Sequence, residues 1–253
     1  MLSISHLTKR FGDKVAVCDL SIEVPAGELY AFLGPNGAGK TTTLKCAAGL
    51  LWPNGGNVLV GGHDVHAHPL EAKRLLSYVP DQPYLYEKLS GREFLAFVGR
   101  LYGLSREDCA ARIERLIDLF EAREWANELA ENYSHGMRQK IVLSAALLHE
   151  PRVLAIDEPM VGLDPKSMKL VKTVLREQVA GGCAILMSTH TLSIAEEVAD
   201  RIGIIDHGRL VAEGRCDEIR QAVPNAEGRS LEDVFLELTG GVGPVNGIAS
   251  EAK

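Results

Sequence analysis

The chain has 253 residues, of which 46% are hydrophobic and 24% charged, and a formal net charge of −7. These fractions are close to the averages of globular proteins, which excludes a disordered, collagen-like or coiled-coil chain. A mildly acidic chain also lacks the positive field expected of a protein that binds nucleic acid.

The cysteines and the apolar runs limit the cellular setting. The five cysteines are scattered without C-x-x-C spacing, so the sequence indicates neither a disulfide framework nor a zinc site. Lys9 and Arg10 precede any apolar run, which argues against a signal peptide. The apolar runs hold only a few residues, against the roughly 20 that span a bilayer. We therefore expect a cytosolic chain that reaches a membrane only through a partner.

The first third of the chain has the pattern of strands separated by turns. Apolar residues alternate from Val15 to Val24, and residues 29–33 form a continuous apolar run. Such a run is typical of a strand buried on both faces. A Gly-rich loop follows, then a helical pattern from Lys40 to Ala48 and a strand at residues 58–60. The sequence thus predicts a strand–loop–helix unit near the N-terminus.

The composition changes after residue 80. From Gly91 to Glu150 no segment has a convincing strand pattern, and Ser105 with Asp108 fits a helix-capping box. Apolar residues recur here at helical spacing, for example Phe94, Leu95, Val98, Leu101, Ile113, Leu116, Ile117 and Phe120. We predict a helical subdomain at residues 82–150.

Strand patterns return after this helical segment. Residues 153–156 and 184–187 are short apolar runs, and residues 202–211 have the pattern of a hairpin. Between the two runs, Asp164 and Pro165 predict the start of a helix. Strands that alternate with helices predict a mainly parallel sheet covered on both faces.

These patterns give the expected architecture. The fold class is α/β, with a mainly parallel sheet, an antiparallel β edge and the inserted α-helical subdomain. The α/β core comprises residues 1–81 and 151–240. Residues 241–253 show no periodic pattern of apolar residues, and we expect them to be a disordered tail.

A phosphate-binding motif follows the strand at residues 29–33. It matches G-x-x-x-x-G-K-[ST] at every fixed position, with Lys40 placed to reach the β- and γ-phosphates and Thr41 to ligate Mg²⁺. Glycines let consecutive N–H groups wrap a polyphosphate, and the helix N-terminus favours an anion. The alternatives are a chance Gly-rich turn, which the flanking strand and helix disfavour, and a dinucleotide fingerprint, which needs no lysine. We therefore predict the P-loop of an NTPase.

Two carboxylates end the strand at residues 153–156. Ligands of open α/β sheets bind at the carboxyl ends of strands, where Asp157 and Glu158 lie. Asp157 is suited to hold Mg²⁺ through water, and Glu158 to orient or polarise an attacking water. The alternative is a solvated strand end. The upstream P-loop makes the catalytic interpretation the stronger one.

At this point the chain resembles the nucleotide-binding subunits of ATP-binding cassette (ABC) transporters over about residues 1–240. Five motifs occur in the family's order: GPNGAGKTT, YSHGMRQK, VLAIDEP, GLD and STH, which begin at Gly34, Tyr133, Val153, Gly162 and Ser188. The closing segment at residues 230–240 resembles the ending of the exporter branch. The resemblance implies the P-loop NTPase fold, ATP and Mg²⁺ as cofactors, and ATPase activity.

The resemblance also implies roles for matching positions. The implied catalytic residues are Glu158, Lys40 and the switch residue His190. The implied metal ligands are Thr41 and Asp157. The implied nucleotide-binding residues are Phe11, Gly34, Pro35, Asn36, Gly37, Ala38, Gly39, Lys40, Thr41, Thr42, Asp81, Gln82, Ser134, Gly136 and Asp164.

Several of these residues have a simpler structural interpretation. The family stacks an aromatic ring on adenine where this chain has Phe11, although an isolated phenylalanine near a strand more often packs in a core. Ser134 and Gly136 match the signature segment that contacts ATP on the opposing subunit. Asp164 lies in the loop that bridges the two subunits, and a helix N-cap would also explain it. His190 at a strand end is compatible with a structural role.

The chain departs from the family pattern at two places. His135 occupies a position where the family usually has glycine. The family has glutamine at the end of the strand at residues 76–80, where this chain has Asp81 followed by Gln82. Both Asp81 and Gln82 therefore remain candidates for the residue near Mg²⁺ and water.

The resulting hypothesis is an ATP-hydrolysing subunit, peripheral on the cytoplasmic face of the membrane. It would form a homodimer, or a heterodimer with another ATP-binding subunit, and power an integral membrane (permease) partner, as in an exporter. The alternatives are a non-transport ABC ATPase, for example in cluster assembly, and a module that binds ATP without hydrolysis. Intact Glu158 and His190 argue against the latter.

A further segment predicts where the membrane partner docks. Residues 82–89 are rich in aromatic and aliphatic side chains without helical or strand period, including Tyr84 and Tyr86. Aromatic residues are favoured anchors of protein interfaces. In the family that the chain resembles, the matching segment receives a short helix of the membrane subunit. Packing under a loop is the alternative.

Overall fold

The computed structural model describes residues 1–221 and 230–240. The strands in these ranges are β1 (Leu2–Phe11), β2 (Lys14–Val24), β3 (Leu29–Leu33), β4 (Gly55–Val60), β5 (His63–Asp64), β6 (Leu76–Val79), β7 (Val153–Asp157), β8 (Ala184–Thr189), β9 (Arg201–Asp206) and β10 (Arg209–Gly214). The α-helices are α1 (Lys40–Ala47), α2 (Pro69–Leu75), α3 (Gly91–Leu101), α4 (Arg106–Leu119), α5 (His135–Leu147), α6 (Pro165–Ala180), α7 (Leu192–Val198), α8 (Cys216–Gln221) and α9 (Leu231–Thr239). The predicted tail at residues 241–253 lies outside the described residues.

The strands form two sheets. A four-stranded antiparallel sheet has the order β2-β1-β4-β5, and a six-stranded sheet has the order β10-β9-β3-β8-β7-β6. In the larger sheet only the edge pair β10–β9 is antiparallel. The loops that follow β3, β7 and β8 therefore leave the sheet at the same end, side by side, which is where open α/β sheets bind ligands.

The central strand β3 divides the core into two clusters. Its successive side chains point to opposite faces of the sheet. Tyr30 and Phe32 pack with α1 and the antiparallel sheet. Leu29, Ala31 and Leu33 pack with the helical segment and with α6 and α7. Because both faces are covered, every residue of β3 is buried, which explains its uninterrupted apolar sequence.

The helical segment joins the larger sheet at its β6 edge. Ser90 caps α3 in a full capping box, and Ser105 caps α4 through the backbone N–H of Asp108. α5 packs against α3 and β6, and the buried hydroxyl of Ser77 in β6 donates to the carbonyl of Ala146 in α5. α5 is therefore held firmly against the α/β core.

The α/β fold with a mainly parallel sheet, an antiparallel β edge and inserted helices is confirmed. The pattern also predicted β3 and the start of α6 to the residue. It missed β5, α2 and α7, which have only two to seven residues and too few for a readable period. None of the helices in the described ranges has the length and apolar character to cross a bilayer.

Candidate functional site

The loop between β3 and α1 folds around the side chain of Lys40. The lysine is only 7% exposed, and its Nζ donates to the carbonyls of Gly34 (2.6 Å) and Pro35 (3.2 Å). Burial lowers the pKa of Lys40, an effect opposed by the nearby carboxylates of Glu158 and Asp157. The loop thus holds a cation at the N-terminus of a helix, where an anion is favoured by both the lysine and the helix dipole.

Gly39, the N-cap residue of α1, cannot be replaced without strain. Its φ of 113° lies in the left-handed region, and an added Cβ would lie 2.5 Å from the carbonyl oxygen of Ala16 in β2. Only glycine combines this φ with so close an approach to a neighbouring strand. The antiparallel sheet therefore sets the position of the phosphate loop.

An open cleft of about 300 Å³ lies over this loop. Its walls combine the exposed ring of Phe11, the loop with the start of α1, and two carboxylates. The residues that line it are Phe11, Lys14, Ala16, Asn36, Gly37, Gly39, Lys40, Thr41, Thr42, Asp81 and Glu158. An aromatic edge, a phosphate loop and carboxylates in one cleft match the parts of a nucleoside polyphosphate and its cation.

Asp157 ends β7 in a fully buried position. Its Oδ1 accepts a hydrogen bond from the hydroxyl of Ser188 on the adjacent strand β8. Its Oδ2 is buried without a hydrogen-bond partner among the described residues. Burial raises the pKa of Asp157, and the hydroxyls of Ser188 and Thr41 oppose that rise. A buried carboxylate oxygen with no partner, beside a threonine hydroxyl, fits a hard cation such as Mg²⁺.

Glu158 is held in a strained backbone conformation at the end of β7. Its φ of 49° is unusual for a residue with a side chain, and its N–H donates to Oγ (3.1 Å) and the carbonyl oxygen (3.3 Å) of Ser188. Its Oε1 lies 2.9 Å from Nδ1 of His190 and 3.7 Å from Nζ of Lys40. The carboxylate therefore joins the ends of β7 and β8 to the phosphate loop.

The structure distinguishes the two candidates that follow β6. Asp81 lines the cleft and its charge contributes to the raised pKa of Asp157. Gln82 is exposed, does not line the cleft, and donates its backbone N–H to Oδ1 of Asp81 at 2.8 Å. In this conformation the aspartate, and not the glutamine, faces the phosphate loop.

Seven of the predicted nucleotide-binding residues do not line the cleft. Gly34, Pro35 and Ala38 belong to the phosphate loop itself and Gln82 follows Asp81, whereas Ser134, Gly136 and Asp164 lie on α5 and at the start of α6. Ser134 is the N-cap of α5, and its Oγ accepts from the N–H of Met137 at 3.3 Å. Gly136 lies in the first turn of the same helix. Asp164 is the N-cap of α6, and its carboxylate accepts from the N–H groups of Lys166 and Ser167. The N-cap interpretation of Asp164 is therefore correct for the single chain.

Sequence reasoning did not single out two residues of the site. Ser188 bonds to both Asp157 and Glu158, and it begins the STH motif, so the motif could have identified it. Lys14 lines the cleft from the start of β2. It has no spacing relation to the phosphate loop, because the antiparallel sheet alone brings it there.

Comparisons with known proteins agree with this geometry. Residues 17–161 match the family described as ABC transporter. The chain is 36% identical over 242 residues to the daunorubicin resistance ATP-binding protein DrrA3 of Streptomyces coeruleorubidus, covering 96% of this chain and 75% of that protein. It is 40% identical over 222 residues to the daunorubicin/doxorubicin resistance ATP-binding protein DrrA of Streptomyces peucetius, covering 88% and 67%. A solved ATP binding subunit of an ABC transporter superposes with a TM-score of 0.88 at 34% identity, over 94% of this chain and 99% of the other.

Proposed function

Since this chain belongs to the ABC transporter family as one of its ATP-binding, ATP-hydrolysing proteins, we propose that it powers an exporter through a membrane partner. The observation that carries the proposal is the position of Glu158, whose carboxylate contacts both His190 and Lys40 at the edge of the phosphate cleft. In this proposal residues 1–81 and 151–240 act as the catalytic core and residues 82–150 as the helical subdomain.

We place ATP in the cleft with its phosphates on the loop and its base at the rim. The phosphates would lie on the loop of residues 34–39 at the N-terminus of α1, and Lys40 would exchange its bonds to loop carbonyls for bonds to phosphate oxygens. The base would stack on Phe11, which is 49% exposed at the cleft rim. Thr41 and Asp157, whose Oδ2 has no hydrogen-bond partner among the described residues, would hold Mg²⁺, and the ion would neutralise phosphate charge.

Glu158 and His190 would act on the attacking water. The carboxylate of Glu158 contacts both His190 and Lys40, and its backbone has a positive φ. We assign Glu158 the role of orienting and deprotonating water, and His190 that of holding Glu158 and contacting the γ-phosphate. The protein contributes positioning and electrostatics, with little covalent chemistry.

A second ATP-binding chain would complete the site. An added Cβ at Gly136 would meet the side chain of Leu163 at 3.6 Å, an ordinary contact, so the single chain does not require glycine there. A close approach from outside the chain would require it. The Ser134 hydroxyl can still donate to an anion, since its bond to Met137 uses it as acceptor. We therefore place the γ-phosphate of the opposing chain's ATP against Ser134 and Gly136, with Asp164 in the bridging loop.

The membrane partner would dock on residues 82–89. Tyr84 is 73% exposed, whereas Tyr86 is 47% exposed and its ring packs against Phe94 and Phe97. Tyr84 is therefore the better candidate for direct contact. The chain would be peripheral on the cytoplasmic face of the membrane. Both drug-resistance relatives favour export over the cluster-assembly alternative.

Site-specific crosslinking tests the transport part of the proposal. A cysteine introduced at Tyr84 should crosslink to a co-expressed integral membrane subunit. A cysteine at Leu70, which is 71% exposed on α2, and the unmodified chain with its partly exposed Cys18 and Cys216 are the controls. Capture from position 84 alone supports the proposal. An intact membrane complex without this crosslink would contradict the docking surface.

A further inference from the structure

One face of α5 is bonded to the loop that follows Glu158. His135 and Gln139 are one helical turn apart and project from the same face of α5. The Nε2 of His135 lies 3.1 Å from the carbonyl oxygen of Val161, and Nε2 of Gln139 donates to the carbonyl of Pro159 at 3.3 Å. A carbonyl only accepts, so Nε2 of His135 carries the proton. Two alternate carbonyls of the loop are thus fixed by one helix.

The loop fits closely around the histidine ring. Gly162 has a φ of 73°, and an added Cβ would lie 3.1 Å from Cδ2 and 3.3 Å from Nε2 of His135. The ring therefore lies directly over the glycine. A glycine at position 135, which is usual in the family that the chain resembles, would leave this space empty and the Val161 carbonyl without its bond.

The hydrogen bond of His135 is connected to the backbone of Glu158 through a single residue, Val161. The N–H of Val161 donates to the carbonyl of Glu158 at 3.3 Å, so the two peptide groups of Val161 link His135 to the backbone of Glu158. The side chain of Val161 is 47% exposed and anchors the loop weakly. Gln139 fixes the inner end of the loop from a buried position, and His135 fixes the outer end.

We propose that His135 is a positioning residue for ATP hydrolysis. It fixes the position of residues 159–164 relative to the N-terminus of α5. Through this bond the first turn of α5 and the backbone of Glu158 move as one unit within a single chain. Both partners of the contact belong to the same chain. The inference rests on the ATPase activity and not on the transport role.

Amide exchange of the nucleotide-free protein, kept dilute enough to be monomeric, is the first test. His135→Phe keeps a ring of similar shape and removes the donor, whereas His135→Gln keeps a donor. We expect the N–H groups of Val161 and Leu163 to exchange about fivefold faster in the Phe variant, the factor that one ordinary hydrogen bond gives. The Gln variant should restore at least half of the protection. Unchanged exchange in His135→Phe would overturn the proposal.

Steady-state kinetics are the second test. We expect His135→Phe to lower kcat about fivefold with little change in the KM for MgATP, because the ATP cleft of the same chain is untouched. His135→Gln should recover most of kcat. His207→Asn is the matched control, since His207 is an exposed turn histidine with a φ of 44° that asparagine tolerates.

The two measurements together separate the possible roles of His135. Loss of kcat with faster loop exchange, both reversed by glutamine, supports positioning within the chain. Loss of kcat with unchanged exchange would mean direct action on the opposing chain's nucleotide and would overturn the proposal. Failure of glutamine to restore either quantity would show that ring packing and not the hydrogen bond matters, and would also overturn it.

Discussion

Replacement of Ser188 by alanine removes a hydroxyl that bonds to the carboxylate of Asp157 and to the backbone N–H of Glu158. Ser188 donates to the buried Oδ1 of Asp157 and accepts from the N–H of Glu158. The N–H of Glu158 keeps a second acceptor in the carbonyl of Ser188. Asp157 keeps only the nearby hydroxyl of Thr41, and its Oδ2 is without a hydrogen-bond partner among the described residues. The variant therefore removes the hydrogen bond that the buried Oδ1 of Asp157 accepts from Ser188.

The expected magnitude follows from the charge of that carboxylate. A hydrogen bond to a charged group contributes about 1.5–3 kcal/mol, and a neutral one about 1 kcal/mol. When Asp157 is ionised in the folded protein, we expect Ser188→Ala to reduce the free energy of unfolding by about 2 kcal/mol. When Asp157 is protonated, the loss should be about 1 kcal/mol.

The destabilisation by Ser188→Ala should depend on pH with a definite sign. Burial raises the pKa of Asp157 in the folded state above its unfolded value, so the contribution of Asp157 to the free energy of unfolding falls as pH rises from about 4 through the folded pKa and is constant above it. The Ser188 bond opposes this rise, and its removal raises the folded pKa further. The destabilisation by Ser188→Ala should therefore be smallest near pH 4 and largest on the alkaline side.

Urea unfolding of the nucleotide-free protein at pH 4 and pH 8 measures both quantities. Ser144→Ala is the matched control, because Ser144 is also a buried serine but donates only to the carbonyl of Lys140 one turn earlier in α5. It should cost less than about 1 kcal/mol at either pH. If Ser188→Ala destabilised no more than the control, or equally at both pH values, the assignment of an ionised Asp157 dependent on Ser188 would be refuted.

Three further predictions concern ATP. Lys40→Ala should abolish MgATP binding or hydrolysis, since the phosphates lose their buried cation; near-normal turnover would contradict the site. Glu158→Gln should lower kcat by about 10²–10⁴-fold while ATP stays bound, so that a dimer accumulates in size-exclusion chromatography with MgATP; a monomeric variant, or one with the original turnover, would oppose that role. Phe11→Ala should weaken ATP binding by about tenfold in calorimetry and Phe11→Tyr should not, because only the latter keeps a stacking ring; equal affinities would place the base elsewhere.

The sequence by itself determined the secondary-structure elements that depend on residues close together in the chain. β3 is readable because burial on both faces requires five consecutive apolar residues, and α6 because Asp164 and Pro165 cap its start. The phosphate loop is readable for the same reason, since its glycines and Lys40 act through backbone groups a few residues away. Short elements such as β5 and α2 were not readable, because neighbours in space hold them and not their own period.

Only the tertiary structure decided how the site is assembled. Asp157 and Ser188 lie 31 residues apart and meet because β7 and β8 are adjacent parallel strands, in register Asp157 to Ser188. The same strand order brings His190 to Glu158. The folded structure also decides that Asp81, and not Gln82, lines the cleft. These contacts depend on which strands pair and on where each strand ends. The hydrogen bonds that fix the strand order join segments far apart in the chain. The pattern of neighbouring residues in the sequence therefore does not predict them.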